Sequence, residues 1–160
     1  MKDWKNNLKS DDDELVTSYF STFFNVEIPI RFIGTADKVQ PNQEALVTEM
    51  IEYEDRWIEE SIRAILEYYK EVYPDYRMGW ELNGSDDVTI EQYLPKEIDR
   101  EKLLKLITPS ELFIAEEENY EPGRFGFGLE CEWDIEHGLG VSFNQWKASE
   151  VGGMDVAFGI

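Results

Sequence analysis

The amino-acid sequence predicts an α+β fold in a single domain. Two stretches near the N-terminus are rich in β-branched and aromatic residues. A long middle segment repeats apolar residues every three or four positions, and the last third alternates apolar with polar residues. Helices grouped between two blocks of strands, with a C-terminal antiparallel β-meander, are typical of the α+β class. A chain of 160 residues, 42% of them hydrophobic, can bury a sizeable core. We therefore predict one domain over residues 15–160, after a loose acidic lead-in over residues 1–14.

The N-terminal strand pair is expected at residues 16–24 and 26–33, with the two strands meeting near Asn25. Both stretches are rich in valine, isoleucine and aromatic residues, which suit a pleated, half-buried surface. Proline cannot donate a hydrogen bond to a neighbouring strand. Pro29 therefore predicts that the second strand lies at an edge of its sheet.

The clearest helix is predicted to start after Asn42, a suitable N-cap, and to end before Pro74, which interrupts helical hydrogen bonding. Its apolar residues at three- and four-residue spacing predict one buried stripe, formed by Leu46, Met50, Tyr53, Trp57, Ile58, Ile62, Ile65, Leu66 and Tyr69. Residues 74–88 are expected to form an irregular connection. Residues 89–94 predict a short helix or an extended piece, and residues 98–106 predict a second, shorter helix.

The strands of the C-terminal meander are expected at residues 111–116, 124–135, 139–145 and 154–158. Gly152 and Gly153 are expected to form the turn before the last of them. Gly126 and Gly128 lie inside the second of these strands. A glycine within a strand often permits the close approach of a neighbouring backbone or helix, so we expect such a neighbour here.

Residues 129–143 are the most informative stretch, because they contain the only histidine, the only cysteine and four acidic side chains. Apolar residues alternate along both arms of a predicted hairpin. If Ile135 lies opposite Leu139, a three-residue loop ending in Gly138 keeps both apolar sets on one face. On the other face, this register predicts an acidic strip, with His137 at its tip, formed by Glu130, Glu132 and Asp134 opposite Asn144, Ser142 and Gly140.

The charge of the chain is the second informative feature. Thirty-five acidic residues against fifteen basic ones give a net charge of −20, well beyond the magnitude of about 2 to 8 that solubility needs. Such a field repels nucleic-acid phosphates and anionic lipid, and it attracts cations and basic proteins. We therefore expect neither nucleic-acid binding nor membrane binding. The sequence has no long apolar run, no secretory signal and one cysteine, Cys131, which together predict a cytoplasmic protein.

Common catalytic motifs are missing from the sequence. It has no phosphate-binding glycine loop, no dinucleotide fingerprint and no nucleophile elbow. Cys131 is predicted to face the core while His137 lies in a turn, so the two are not expected to form a catalytic pair. These observations favour a protein that is not an enzyme and that needs no cofactor.

A divalent-metal site, which could be hydrolytic, is the alternative. Carboxylates and an imidazole are suitable ligands, and Asp134, Glu136 and His137 lie close together in the sequence. Asp155 would join them if the last strand returns alongside. The simpler interpretation is structural, with Asp134 accepting hydrogen bonds from turn amides and His137 pairing with a carboxylate.

The C-terminal third also contains a Trp-Asp-x-Glu-His-Gly-x-Gly-Val pattern, followed by Val-Gly and Asp-x-Ala. The residues that match it are Trp133, Asp134, Glu136, His137, Gly138, Gly140, Val141, Val151, Gly152, Asp155 and Ala157. This pattern resembles that of an uncharacterised bacterial domain family, a domain of unknown function, in which the N-terminal strand pair and the long helix occupy the same positions. Gly153 stands where that family often has a bulkier residue. Similar small acidic proteins occur beside toxin genes, so the resemblance implies an immunity role.

Together, these features predict an acidic cytoplasmic protein-binding module, an immunity or inhibitor protein that neutralises a basic effector such as a nuclease. Carboxylates would accelerate association and a few aromatic anchors would supply most of the affinity. The predicted contact residues are Glu130, Glu132, Asp134, Trp80 and Trp146. The alternatives are the divalent-metal site described above and a structural domain without a site.

Overall fold

A computed structural model describes residues 3–160 and confirms the α+β class. Its strands are β1 (Lys9–Asp11), β2 (Glu14–Ser21), β3 (Val26–Phe32), β4 (Ile107–Ile114), β5 (Phe125–Cys131), β6 (Leu139–Asn144) and β7 (Lys147–Gly152). Its helices are α1 (Pro41–Glu52), α2 (Glu54–Leu82), α3 (Asp87–Tyr93), α4 (Arg100–Leu106) and α5 (Met154–Phe158). The strands form one mixed sheet in chain order, and neighbouring strands are antiparallel except for the parallel pair of β3 and β4.

The main core lies between one face of the sheet and the helices that connect β3 to β4. Trp57 on α2 is 1% exposed. Its ring centroid lies 5.5, 5.1 and 6.4 Å from those of Phe125, Phe127 and Phe143, which project from β5 and β6. The alternating pattern therefore predicted correctly which residues of these strands face the core. None of the described helices combines the length with the apolar character that a membrane span requires.

The opposite face of β5 and β6 is covered by α5, where the sequence predicted a strand. A Cβ atom on Gly126 would lie 1.8 Å from the carbonyl oxygen of Ala157, so the helix backbone rests directly on the strand. This confirms the close approach expected at the glycines of β5. Met154, Ala157 and Phe158 follow helical spacing, and the Phe158 ring lies 6.0 Å from that of Phe113 on β4. These contacts favour a helix over a strand.

The N-terminal segment differs from the loose lead-in that was expected over residues 1–14. Residues 1 and 2 lie outside the described part of the chain. Trp4 begins a 3-10 turn (Trp4–Asn7) and is 6% exposed. Its ring lies 6.0 Å from that of Phe32 in the core. Strand β1 then pairs with β2 and forms one edge of the sheet.

Strand β3 is an interior strand, and the prediction that Pro29 marks an edge is wrong. It lies between β2 and β4. Its parallel pairing with β4 starts only at Ile30, one residue after the proline. The missing N–H of Pro29 is tolerated because this part of β3 precedes that pairing. The turn near Asn25 is confirmed, with Asn25 in the left-handed region at a φ of 58°.

The predicted long helix forms, but both of its ends differ from the prediction. It starts at Pro41 rather than after Asn42, and the N–H of Gln40 donates to Oε1 of Gln43 over 2.9 Å. A break at Tyr53 divides it into α1 and α2. Pro74 lies inside α2, which continues to Leu82. A proline removes one helical hydrogen bond, and the side chains beyond it pack against the core strongly enough to maintain the helix.

Glu54 fixes the break between α1 and α2 to the β2–β3 turn. Glu54 is buried, with 6% of its surface exposed. Its carboxylate accepts hydrogen bonds from the hydroxyls of Tyr19 (2.9 Å) and Thr22 (2.7 Å) and from the N–H of Phe23 (3.0 Å). Burial, followed by the nearby Glu54 carboxylate, raises the pKa of Tyr19 well above its ordinary value. The tyrosine therefore donates and the glutamate accepts at neutral pH.

Candidate functional site

The loop between β5 and β6 is longer than predicted. Leu129, rather than Ile135, lies opposite Leu139. The loop therefore spans residues 132–138 instead of three residues, although Gly138 has the expected left-handed backbone, with a φ of 67°. The shift of the register is six residues, an even number, so the core-facing set remains on the same face.

Trp133 explains why the strand stops early. It is 2% exposed, and its ring centroid lies 5.1 Å from that of Tyr69 on α2. Trp80 lies further along α2, and its indole N–H donates to the carbonyl oxygen of Trp133 over 3.2 Å. The loop therefore leaves the sheet to pack its tryptophan against the long helix.

Asp134 organises the loop from within. Its Oδ2 accepts a hydrogen bond from the hydroxyl of Tyr76 (2.7 Å), and its Oδ1 accepts one from the N–H of His137 (3.1 Å). Nδ1 of His137 lies 3.1 Å from the same Oδ1. The carbonyl oxygen of Asp134 accepts a hydrogen bond from the N–H of Gly138 over 3.0 Å. The structural interpretation of Asp134 as an acceptor for turn amides therefore agrees with the geometry.

The environment of Asp134 favours its ionised form. Burial alone would raise the pKa of this carboxyl. The hydrogen bonds from Tyr76 and from the N–H of His137, with the His137 ring beside them, outweigh burial and hold the pKa below its usual range. Burial and the bond to Asp134 also raise the pKa of Tyr76 above its ordinary value. Proton transfer between the two groups is therefore disfavoured, and the pair acts as a structural link between the loop and α2.

A cleft of about 370 Å³ lies between this loop and the C-terminal half of α2, and we call it the loop cleft. Its walls carry the acidic residues Asp75, Glu132, Asp134 and Glu136, together with Tyr76, Gly79, Trp80, Asn83, Trp133, Ile135 and His137. No lysine or arginine is among the residues that line it. Four other clefts on the described residues each include at least one.

Ile135 lies at the mouth of the loop cleft and is 84% exposed. The sequence predicted it as a core residue of the hairpin, which is wrong because the strand ends at Cys131. Met78 (59% exposed) and Leu82 (80% exposed) add apolar surface to the same end of α2. Single exposed apolar side chains are common on protein surfaces, whereas several of them on one part of the surface often mark an interaction site.

The predicted contact residues separate into three places. Glu132, Asp134 and Trp80 all line the loop cleft. Glu130 is exposed on β5, where it lies opposite Thr108 of β4. Trp146 lies in the β6–β7 turn and lines a different cleft. Both tryptophans are partly buried against the core.

The continuous acidic strip predicted along the hairpin does not form, because its register was wrong. Gly140 and Ser142 lie opposite Gly128 and Gly126 rather than opposite acidic residues. Helix α5 covers the glycines on this face. The acidic residues of the loop cleft lie instead in the loop (Glu132, Asp134 and Glu136) and on α2 (Asp75).

The residues proposed for a metal are only partly brought together. His137 contacts Asp134, while Glu136 is exposed in the same loop and Asp155 is exposed on α5 rather than on a returning strand. Within residues 3–160, no group of three or more histidine, cysteine, aspartate or glutamate side chains is arranged to hold a metal ion. The described contacts of His137 and Asp134 are those of a hydrogen-bonded pair.

Sequence reasoning missed the helical half of the cleft. Asp75, Tyr76 and Asn83 were assigned to an irregular connection after Pro74. The available signal was the spacing of Tyr69, Tyr73, Tyr76 and Trp80, which continues a helical stripe through the proline.

Comparison with known proteins gives one match. The profile of a family described as a domain of unknown function, DUF6985, matches residues 4–158. No match was found among curated proteins or among solved structures.

Proposed function

The chain belongs to the DUF6985 family of domains of unknown function, and because that description assigns no activity, we propose a function from the geometry of the loop cleft. The protein is an acidic protein-binding module, and its contact surface is the loop cleft with Ile135 at its mouth. The observation that carries the proposal is Ile135, which is 84% exposed at the tip of a loop held by hydrogen bonds.

The loop presents Ile135 without a large entropic cost. Asp134 ties it to Tyr76 on α2, and Trp133 is buried beside Tyr69. Binding that requires no ordering of the contact loop retains more of its interaction energy. An apolar anchor that inserts into a partner, surrounded by polar groups that exclude water, is the usual arrangement of a binding hot spot.

Charge selects the kind of partner. Asp75, Glu132 and Glu136 surround the anchor without a lysine or arginine among the lining residues, and the whole chain carries a net charge of −20. Such a surface repels acidic proteins and accelerates association with basic ones. A basic protein partner therefore fits the loop cleft.

An immunity or inhibitor role is the specific form of this proposal. A nuclease that binds nucleic acid carries a basic surface for the phosphates, and an acidic module can cover that surface. The resemblance of the C-terminal pattern to proteins found beside toxin genes supports this role. The buried thiol of Cys131 suits a reducing compartment, so we place the encounter in the cytoplasm.

The experiment is site-specific photo-crosslinking in a bacterial cell that naturally contains the protein. A photoreactive phenylalanine derivative replaces Ile135 in one variant and Val88, which is 79% exposed on α3, in the control variant. We expect crosslinking to a basic protein from position 135 and none to that protein from position 88. Crosslinking to the same protein from both positions, or from neither, would overturn the proposal.

The captured protein then provides a quantitative test. Ile135→Asp should weaken its binding at least tenfold. Val88→Asp should leave the affinity within about twofold, because Val88 is not among the residues that line the loop cleft. Raising the salt concentration should slow association of the wild type. For the immunity role, the partner should be toxic when produced alone and harmless when produced with the wild type but not with Ile135→Asp.

A further inference from the structure

A second cleft, separate from the loop cleft, lies where α1 meets α2 against the β6–β7 turn. Its volume is about 380 Å³, and it is lined by Glu49, Tyr53, Arg56, Trp57 and Trp146. We call it the aromatic cleft, since three of these five side chains are aromatic. Its size lies at the lower end of the range of small-molecule sites.

The backbone at Trp146 is unfavourable for its residue type. Gln145 and Trp146 form the two-residue turn between Asn144 and Lys147, and their φ angles are 52° and 66°. Turns with two left-handed residues favour Asn-Gly, and a bulky side chain in this region is a genuine outlier. Such outliers concentrate at functional sites. The strained position therefore makes the indole ring of Trp146 a candidate functional group.

The indole ring forms a wall of the aromatic cleft. It packs 5.8 Å from the ring of Phe125. A Cβ atom on Gly123 would come within 2.7 Å of the indole Cδ1 and within 2.4 Å of the backbone nitrogen of Trp146. Gly123, itself left-handed at a φ of 64°, thus leaves room for the tryptophan. Glycine is the residue that a left-handed position in such a turn favours, so the tryptophan stands against the conformational preference of the turn.

The cleft is also held in shape. Glu60 on α2 accepts a hydrogen bond over 3.0 Å from the N–H of Ala148, two residues after Trp146. The hydrogen bond from Arg63 outweighs burial and keeps the pKa of Glu60 below its ordinary value, so this acceptor stays ionised. The floor is Trp57, whose indole N–H donates to the carbonyl oxygen of Met50 over 2.9 Å. These contacts fix the turn that carries Trp146 and the floor of the cleft, which lowers the cost of ordering them around a ligand.

Arg56 supplies the charge of the aromatic cleft. Arg31, Arg63, Arg77 and Arg100 all form ion pairs with carboxylates. Among residues 3–160, Arg56 and Arg124 form none. Arg124 donates to the carbonyl oxygen of Asn119 over 3.0 Å, whereas the guanidinium of Arg56 lies over the ring of Tyr53, 5.1 Å from the centroid. In a chain with more than twice as many acids as bases, an arginine without an acidic partner is unexpected. A guanidinium stacked on an aromatic ring retains its N–H edge for a planar anion such as a carboxylate.

We propose that the aromatic cleft binds a small aromatic compound that carries one carboxylate. The ligand ring lies between Tyr53 and Trp146 over Trp57, and its carboxylate binds the guanidinium of Arg56. Glu49 at the rim disfavours a second negative charge on the ligand. This site is independent of the protein partner proposed for the loop cleft.

The test uses the full chain labelled with 5-fluorotryptophan and observed by fluorine NMR. The probe is indole-3-acetate, and the matched control is indole-3-acetamide, which has the same ring without the charge. We expect indole-3-acetate to shift the signals of Trp57 and Trp146 saturably and to leave Trp4, which lies outside the cleft, unchanged. Binding of the amide should be at least tenfold weaker. Equal affinity for both compounds, or the absence of a saturable shift, would overturn the proposal.

Two variants locate the ligand. Arg56→Gln should weaken indole-3-acetate at least tenfold and remove the preference over the amide, whereas Arg100→Gln on α4, with the same change of charge, should alter neither. Trp146→Gly should abolish binding. Its melting temperature reports whether the fold is retained, and Arg56→Gln on the exposed surface remains informative if Trp146→Gly unfolds. Unchanged binding in Arg56→Gln would contradict the assigned carboxylate site.

Discussion

Replacing Asp134 by alanine is the most direct way to test whether the loop is held as described. The carboxylate accepts hydrogen bonds from the hydroxyl of Tyr76 (2.7 Å) and the N–H of His137 (3.1 Å), and its side chain is 11% exposed. A hydrogen bond to a charged group contributes about 1.5–3 kcal/mol, and a buried donor left without a partner costs about 1–3 kcal/mol. Because His137 is exposed, water can replace the carboxylate as the acceptor for its N–H. We therefore expect the free energy of unfolding to fall by about 2–3 kcal/mol, and the melting temperature by roughly 5–10 °C.

Urea unfolding followed by tryptophan fluorescence measures this loss, and Glu136→Ala is the matched control. Glu136 is in the same loop and carries the same charge, but it is exposed and makes no hydrogen bond or ion pair with residues 3–160. Its substitution should change the free energy of unfolding by less than about 0.5 kcal/mol. Similar values for the two variants would refute the assignment, because the loss would then be a general effect of charge.

The pH dependence provides an independent check on the same carboxylate. The pKa of Asp134 is lower in the folded protein than in the unfolded chain. Its contribution is therefore fully present above the unfolded pKa of about 3.9 and is lost as the pH falls through the lower folded pKa. The stability difference between the wild type and Asp134→Ala should shrink below about pH 4. A constant difference down to the folded pKa would indicate that the hydrogen bonds do not depend on the ionised form.

Three further predictions concern the rest of the fold. Gly126→Ala should lower the free energy of unfolding by about 3 kcal/mol, the upper end of the usual range for overpacking, because the new Cβ overlaps the backbone carbonyl of Ala157. Gly79→Ala, with open space around the new atom in α2, should instead raise the free energy of unfolding by about 0.5–1 kcal/mol in the same urea titration. Glu54→Gln should lower the melting temperature and reduce the free energy of unfolding by about 2 kcal/mol. The three donors bind both carboxylate oxygens of Glu54, whereas only one terminal atom of an amide can accept a hydrogen bond. An unchanged melting temperature would contradict the stabilising role of these hydrogen bonds. Burial raises the pKa of the Cys131 thiol to about 12, so a thiol-specific reagent should label it at pH 8 only in denaturant, and labelling of the native protein would contradict its burial.

The hairpin shows what alternation in a sequence can predict and what it cannot. Alternation placed Leu129, Cys131, Leu139, Val141 and Phe143 on the core face, and all five are buried there. It could not fix the register, because every slip by an even number of residues preserves the same faces. The register depends on the contact of Trp133 with a helix far away in the sequence, and strand periodicity contains no information about that contact.

Local propensity failed where tertiary packing was stronger. Pro74 has the expected effect on one hydrogen bond, yet the helix continues because Tyr76 and Trp80 pack beyond it. Helix α5, five residues long, is too short to be recognised without knowledge of the glycine surface that it covers. For the loop cleft, Glu132, Asp134, Glu136 and Trp80 could be predicted as candidate site residues. Asp75 and Tyr76 could not, since their positions depend on that continuation of the helix.

The order of the strands has a consequence for how the chain can be divided. Within the described sheet, β1–β3 and β4–β7 meet only through the parallel pairing of Ile30–Phe32 with Leu112–Ile114. A turn with exposed residues Asn83 and Gly84 separates α2 from α3. A cut in this turn yields two fragments, each with complete antiparallel strand pairs, and α2 of the first would pack on the phenylalanines of the second. Produced together, the fragments should reassemble as a heterodimer, which would make this protein a candidate for split-reporter complementation.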